Sequence, residues 1–224
     1  MATLTENLPE TGAPPLAGEQ RVLIPRISWD AYVAFGDELA RQNNRSVHLT
    51  YDRGRMEIMT TGVPHEWYKR MLTKLVDILV YELHIDVRSG GQMTFRRKDL
   101  KRGLEPDECW WIVHEPQMRT RDGFDPHHDP PPDLAIEVEI SNPLLDKFSI
   151  YAELGVPEIW RFDGQQLRFW ERKEDNSYQP VDTSIAFPFL RPEHLPPYLR
   201  INDQASETNR LHQFAEWLRA KVKG

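Results

Sequence analysis

Cysteine is almost absent from this chain of 224 residues, and the single one, Cys109, has no intrachain partner for a disulfide. No apolar run reaches the length of a membrane span. The first residues do not contain the basic stretch followed by an apolar stretch that marks a signal peptide. The lack of a cysteine pair fits a reducing compartment. We therefore expect a cytoplasmic protein that has no membrane partner.

Net positive charge is also missing, because the formal net charge at pH 7 is −7. The chain thus lacks a global basic field that would attract nucleic acid, and any such contact must come from a local patch. Hydrophobic residues make up 39% and charged residues 28%, which is ordinary for a globular protein. A chain of this length can bury a core without disulfides.

One main domain is predicted. Residues 1–20, rich in Pro, Gly, Thr and Glu, are predicted to be a disordered tail. Residues 21–202 are predicted to form the domain, and residues 203–224 a C-terminal helix that packs on it. A mixture of helical and alternating apolar patterns along residues 21–202 predicts an α/β (α+β) fold.

Several elements carry clear local signals. Ser28 is a predicted N-cap, and the apolar residues of segment 64–83 recur at the spacing of one helix face. Residues 52–54 and 163–164 are predicted turns of two hairpins. Gly155 is predicted to end a further helix.

The segment PPDLAIEVEISN, residues 131–142, combines apolar and acidic residues. In an extended segment Asp133, Glu137 and Glu139 lie on one face, while Leu134, Ile136, Val138 and Ile140 lie on the other. Two interpretations remain open. The carboxylates face solvent on an edge strand, or the strand brings negative charge to a cation.

A second segment, EPDECWWIV, has the same feature: a Pro-Asp pair, here ending in Asp107, leads into a predicted strand. If the two strands pair, Asp107 lies beside Glu137. Carboxylates held so close repel each other, and a hard divalent cation relieves the repulsion. Mg²⁺ prefers such oxygen ligands and activates water for attack on phosphate esters. The pair is therefore typical of metal-assisted phosphodiester hydrolysis.

The long segment 132–163 resembles a known family, the Uma-type restriction endonucleases of the PD-(D/E)XK nuclease superfamily. Two upstream segments, GRMEIM and GLEPDECWWI, match as well, and so does His65 at the start of a helix. The resemblance therefore covers about residues 26–200. The matching positions are Pro132-Asp133-Leu134, Glu137, Lys147, Tyr151, Gly155-Val156-Pro157-Glu158 and Trp160.

The resemblance implies a restriction-endonuclease-like mixed β-sheet flanked by helices, with DNA as substrate and Mg²⁺, or alternatively Mn²⁺, as cofactor. It implies that Asp107, Glu137 and the main-chain carbonyl of Val138 bind the metal. The superfamily's lysine usually follows the Glu by two residues, where this chain has Glu139. The family pattern instead points to Lys147, which would orient the attacking water or offset charge on the phosphate.

Four further residues are secondary candidates. Glu139 is an extra metal ligand or merely exposed. Asp133 either belongs to the site or forms hydrogen bonds at the start of its strand. His65 lines the cleft or caps a helix. Glu57 lines the cleft or, as the more common arrangement, pairs with an arginine across strands.

A basic run leads into the Asp107 strand and is the predicted DNA contact, with a solvated turn as the alternative. Its members are Arg96, Arg97, Lys98, Lys101 and Arg102.

Two other functions stay open. One is a nuclease fold that no longer cuts and acts as a binding or assembly module. The other is a metal-dependent hydrolase of small phosphoesters. Homodimer formation also stays open.

Overall fold

The computed structural model describes residues 18–44, 46–201 and 204–222. The strands are β1 Gln20–Pro25, β2 Val47–Asp52, β3 Arg55–Thr60, β4 Arg88–Ser89, β5 Phe95–Arg97, β6 Arg102–Leu104, β7 Glu108–Trp111, β8 Leu134–Val138, β9 Glu158–Phe162, β10 Leu167–Arg172 and β11 Tyr178–Val181. The helices are α1 Trp29–Arg41, α2 Val63–Leu83, α3 Glu115–Met118, α4 Lys147–Leu154 and α5 Glu207–Val222.

The predicted disordered tail is wrong at its end. Residues 1–17 lie outside the described residues. Gln20, in contrast, begins β1, and the side chain of Glu19 is completely buried. The reason is tertiary, because Glu19 accepts hydrogen bonds from a loop about 120 residues further along the chain.

The first of two sheets is antiparallel, with strand order β1-β3-β2-β6-β5. Its β2–β3 hairpin turns at the predicted residues, where Arg53 and Gly54 have φ angles of 48° and 95°. Two consecutive left-handed residues suit the right-handed twist of a hairpin, and glycine adopts this conformation without steric strain.

The second sheet has the order β11-β10-β9-β8-β7-β4. It is mixed, because β8 and β9 run parallel while its other neighbouring strands are antiparallel. The parallel pair is joined through α4, since parallel neighbours need a crossover. This sheet and its helices confirm the predicted mixed sheet flanked by helices. The separate five-stranded sheet was not predicted.

Helices α2 and α5 cover one face of the mixed sheet. The apolar stripe of α2, which includes Leu72, Leu75 and Leu79, packs with Trp160 of β9 in one buried cluster. Phe214 of α5 belongs to the same cluster, so the C-terminal helix packs on the same core. Each fully buried leucine contributes about 1.5–3 kcal/mol through the apolar surface that it removes from water.

Helix α4 covers the opposite face. Ile150 and Leu154 pack there against Ala135 of β8 and Ile159 of β9. All five residues of β8 are buried. The strand lies inside the sheet and is covered on both faces, which excludes the interpretation of an exposed edge strand. Alternation along β8 places Glu137 on the Ala135 face, toward α4.

Candidate active site

Asp107, directly before β7, lies opposite Glu137 of the neighbouring strand β8. The β7–β8 register pairs Glu108 with Ile136, and one step along these antiparallel strands brings Asp107 to Glu137. Asp107 Oδ2 accepts a hydrogen bond from Val138 N at 2.7 Å. The two carboxylate residues are 1% and 2% exposed, respectively. The structure thus brings together the two predicted acidic ligands.

Lys147 joins this pair from the first turn of α4. Asp146 caps the helix, and Lys147 Nζ donates to Glu137 Oε2 at 2.5 Å. Tyr151, one turn further, donates its hydroxyl proton to Glu137 Oε1. Residues four apart share a helix face, so α4 presents both donors to one carboxylate. Tyr151 matches the family pattern but was not predicted as a site residue, although its spacing from Lys147 was the available signal.

Burial and charge set the protonation of this group. Burial, together with the neighbouring Asp107 and Glu139, raises the pKa of Glu137 to about 7, although Lys147 opposes this shift. Burial alone would lower the pKa of Lys147, but the three carboxylates raise it above its ordinary value. Lys147 is therefore a stable cation among these carboxylates.

Two histidines lie on the other side of Asp107. His65 Nε2 is 3.3 Å from Asp107 Oδ2, and His48 Nδ1 is 3.8 Å from Asp107 Oδ1. Burial would lower the pKa of His65, but Asp107 raises it to about 10. Burial lowers the pKa of His48 to about 4. Charged His65 in turn holds the pKa of Asp107 below its usual range, against the opposing effect of burial.

His65 therefore lies in the site, as its cleft interpretation predicts. His48 was missed, because a lone histidine in the β2 pattern gives no local signal that distinguishes it from a core residue. Only the approach of the first sheet to the second brings it to Asp107.

Glu139 is 6% exposed, so the interpretation of an exposed side chain is wrong. It pairs with Arg161 of β9, and one of its oxygens lies 4.0 Å from Lys147 Nζ. Burial follows because the chain continues beside β9 after β8 ends, with Glu139 N bonded to Phe162 O at 2.8 Å. A pocket of about 50 Å³ opens here, lined by Glu137, Glu139, Pro143, Leu145, Asp146, Lys147, Phe148, Tyr151 and Arg161.

Asp133 is not brought to the site. Its Oδ2 accepts hydrogen bonds from Ile112 N at 2.7 Å and His114 N at 3.0 Å, and His114 Nδ1 lies 2.6 Å from Oδ1. Four residues of strand separate Asp133 from Glu137 by roughly 13 Å, since a strand rises ~3.3 Å per residue. Asp133 therefore has the hydrogen-bonding role at the start of its strand.

Glu57 has the arrangement predicted as more common. Its Oε1 accepts from Arg21 Nη1 of the neighbouring strand at 2.5 Å. Its Oε2 accepts from Leu144 N at 2.5 Å and Leu145 N at 3.0 Å. Both carboxylate oxygens are thus engaged by the protein itself.

The basic run is divided by the fold. Arg102 is 6% exposed, and it contacts Asp52 Oδ1 at 3.0 Å and donates to Ser149 O. Its predicted contact with DNA is wrong, because the guanidinium is buried and engaged by Asp52 and Ser149. Arg96 and Arg97 pair with Asp37 and Asp99, respectively. Lys98 and Lys101 are exposed, and a DNA contact by these four residues stays a prediction.

The predicted ligand set is two carboxylates and one main-chain carbonyl. Within the described ranges, no group of three or more His, Cys, Asp and Glu side chains is arranged to hold a metal ion. Mg²⁺, however, takes one or two carboxylates and keeps several waters. Asp107 and Glu137 supply two buried carboxylates opposite each other, the donor type and number that this cation takes. These residues therefore fit a hard divalent cation.

The fold and the site define a class, that of α+β domains with an Asp and a Glu on adjacent strands of a mixed sheet and a lysine supplied by the next helix. The family Uma2, described as "Putative restriction endonuclease", matches residues 34–204, and the chain belongs to this family. Membership confirms the resemblance, and restriction-endonuclease-like families generally use divalent metals.

One similar solved structure is described as a putative nuclease belonging to DUF820 from Anabaena variabilis ATCC 29413. The likeness covers 76% of this chain and 90% of that chain, with 13% sequence identity and a TM-score of 0.42. No curated protein matches the chain. None of the helices in the described part of the chain is long and apolar enough to cross a membrane.

Proposed function

We propose that the protein is a Mg²⁺-dependent endonuclease that hydrolyses phosphodiester bonds of DNA. Membership of the family supports a nuclease function. The observation that carries the proposal is the buried meeting of Asp107, Glu137 and Lys147, with Lys147 Nζ 2.5 Å from Glu137 Oε2. In this proposal Asp107, Glu137 and the carbonyl of Val138 bind the cation.

Each residue has a distinct role in the proposal. When bound, the cation lowers the pKa of a water molecule and stabilises charge on the phosphate. The backbone N–H of Val138 and the ring of His65 fix the orientation of Asp107. Tyr151 fixes one oxygen of Glu137. Lys147 offsets negative charge beside the phosphate and holds the second oxygen of Glu137.

Arg161 lines the pocket with a side chain that is 32% exposed, and in this proposal the substrate enters the site past it. Lys98 and Lys101 are further exposed cations that would contact phosphates at a distance from the chemistry. Such contacts bring affinity without sequence preference and weaken with salt. A cytoplasmic location, which would give access to DNA, stays part of the proposal.

A second candidate is a nuclease fold that binds DNA without cutting it. One observation favours it, because both oxygens of Glu137 already accept hydrogen bonds from Lys147 and Tyr151. A cation must compete with these two donors for the carboxylate. The two candidates differ in whether the site cuts, and both retain DNA as the partner.

The test is incubation of supercoiled plasmid with Mg²⁺ and either the wild-type protein or Asp107→Asn. A matched control is Glu158→Gln, which alters a buried glutamate that accepts from Trp160 Nε1 and Ala186 N, both at 2.8 Å, away from the site. We expect nicking by the wild type and by Glu158→Gln, and none by Asp107→Asn. Equal nicking by all three proteins would remove the proposal, and binding without nicking would select the second candidate.

A further inference from the structure

The loop from Glu139 to Asp146 connects β8 to α4 and forms one wall of the pocket. Its last residue caps α4, and the next residue is Lys147. The position of this loop therefore determines where the helix begins and where the Lys147 ammonium lies relative to Glu137.

Glu19, just before β1, binds the first half of the loop. Its carboxylate accepts hydrogen bonds from Ile140 N at 3.1 Å, Ser141 N at 2.9 Å and Ser141 Oγ at 2.5 Å. These bonds counteract burial and hold the pKa of Glu19 below its usual range. Glu19 thus fixes two consecutive backbone positions directly after the acidic strand.

Glu57 of β3 binds the second half of the loop through Leu144 N and Leu145 N. Arg21 connects the two glutamates, with Nη1 2.5 Å from Glu57 Oε1 and Nη2 3.1 Å from Glu19 Oε2. We name Glu19, Arg21 and Glu57 the clamp. All three side chains are 4% exposed or less.

Burying three charged groups is expensive unless each is paired and hydrogen-bonded. In the clamp the guanidinium pairs with both carboxylates. The carboxylates also accept hydrogen bonds from backbone N–H groups of the loop, which has no regular secondary structure of its own. Arg21 Nε also donates to Ser141 Oγ at 2.8 Å, so the arginine contacts the loop as well as both carboxylates. The clamp therefore fastens the loop to the first sheet at both ends.

We propose that Glu19, Arg21 and Glu57 are positioning residues, which hold the loop so that α4 places Lys147 against Glu137. The catalytic consequence rests on the proposed nuclease function, whereas the structural consequence does not. When the clamp is weakened, the loop opens more often and Lys147 leaves Glu137 more often.

The test uses Glu57→Gln, which has the same shape but only one acceptor oxygen. It cannot serve Arg21 and the two loop amides at once. The matched control is Glu158→Gln, a buried glutamate on the opposite face of the mixed sheet. The readout is the rate at which an N-hydroxysuccinimide ester acetylates Lys147, measured by mass spectrometry, with exposed Lys98 as the internal reference.

We expect acetylation of Lys147 about tenfold faster in Glu57→Gln, since tenfold corresponds to ~1.4 kcal/mol. Acetylation of Lys147 in Glu158→Gln should stay at the wild-type rate. In the nuclease assay, kcat of Glu57→Gln should fall about tenfold with KM unchanged, because substrate contacts are intact. Should Glu57→Gln fail to fold, Arg21→Lys gives the same test, because the single nitrogen of lysine cannot occupy the three separate positions from which Nε, Nη1 and Nη2 of Arg21 donate.

Wild-type acetylation rates in the clamp variant, or an equal increase in Glu158→Gln, would overturn the proposal. If the wild type cuts no DNA, the acetylation rates still decide whether the clamp positions Lys147. Failure of the nuclease function and failure of the clamp are thus distinguishable.

Discussion

The Lys147 ammonium lies 2.5 Å from Glu137 Oε2, although the lysine comes from a helix ten residues after the glutamate. The position two residues after Glu137 holds Glu139, which pairs with Arg161. Positive charge thus reaches Glu137 from α4 and Glu139 from β9. The strand thus carries Glu139 at the position two residues after Glu137, and the nearby cations come from two neighbouring elements.

Replacement of Lys147 by Met keeps the apolar stem and removes the ammonium. We expect kcat for plasmid cleavage to fall by about 10²–10³, the loss measured when one preorganised hydrogen-bond donor that stabilises transition-state charge is removed. The pKa of Glu137 should rise further, because its largest favourable partner is gone. Steady-state kinetics at saturating Mg²⁺ measures the fall in kcat, and a kcat within about twofold of wild type would contradict the role of Lys147.

Tyr151→Phe removes only the hydroxyl that donates to Glu137 Oε1. We expect a loss of stability of ~1 kcal/mol for the missing hydrogen bond, and weaker Mg²⁺ affinity because the carboxylate is less well oriented. Urea unfolding and calorimetric titration with Mg²⁺ measure the two effects. Tyr178→Phe, whose hydroxyl donates to Val156 O, is a matched control that should lose stability without losing Mg²⁺ affinity.

The His65–Asp107 contact predicts how stability depends on pH. The pKa of His65 is raised from 6.5 to about 10, chiefly because Asp107 opposes the effect of burial. The folded state therefore binds more protons than the unfolded state between these values, and stability falls as pH rises from about 6.5 to about 10. The slope from one such group is at most about 1.4 kcal/mol per pH unit.

His65→Asn should remove this part of the slope. The measurement is the change in unfolding free energy between pH 7 and pH 9.5, compared between the wild type and the variant. Contributions from titratable groups that both proteins share cancel in this difference. Parallel pH profiles for the two proteins would show that His65 is not charged in the fold.

The exposed lysines of the basic run are predicted to contact DNA electrostatically. Replacement of Lys98 and Lys101 by Gln should weaken DNA binding and lower the dependence of log affinity on log salt by about two, one for each lost phosphate contact. Fluorescence anisotropy at several salt concentrations measures both quantities. An unchanged salt dependence would place the DNA elsewhere, with the pocket at Arg161 as the next surface to test.

Much of the acidic site could be predicted because its signals are local. Two Pro-Asp segments that lead into strands indicated Asp107 and Glu137, and their pairing in register confirms the arrangement. The long apolar stripe of α2 and the turn at Gly54 were likewise visible in the sequence, since helix period and turn chemistry act over a few residues.

Other parts of the site depend on contacts between distant segments. Glu19 lies inside the predicted disordered tail and Arg21 directly follows it, yet both bind a loop about 120 residues away. His48 reaches Asp107 only because the two sheets meet. Arg102 looks like its basic neighbours in the sequence, but strand pairing buries it. No local pattern separates these residues from ordinary surface or core positions.

The most direct measurement is anomalous diffraction from crystals grown with Mn²⁺, which substitutes for Mg²⁺ and scatters anomalously. We predict one strong peak within bonding distance of the carboxylates of Asp107 and Glu137 and the carbonyl of Val138, absent in crystals of Glu137→Gln. No peak at these oxygens, in crystals that show Mn²⁺ bound elsewhere on the chain, would contradict a metal-dependent nuclease at this site.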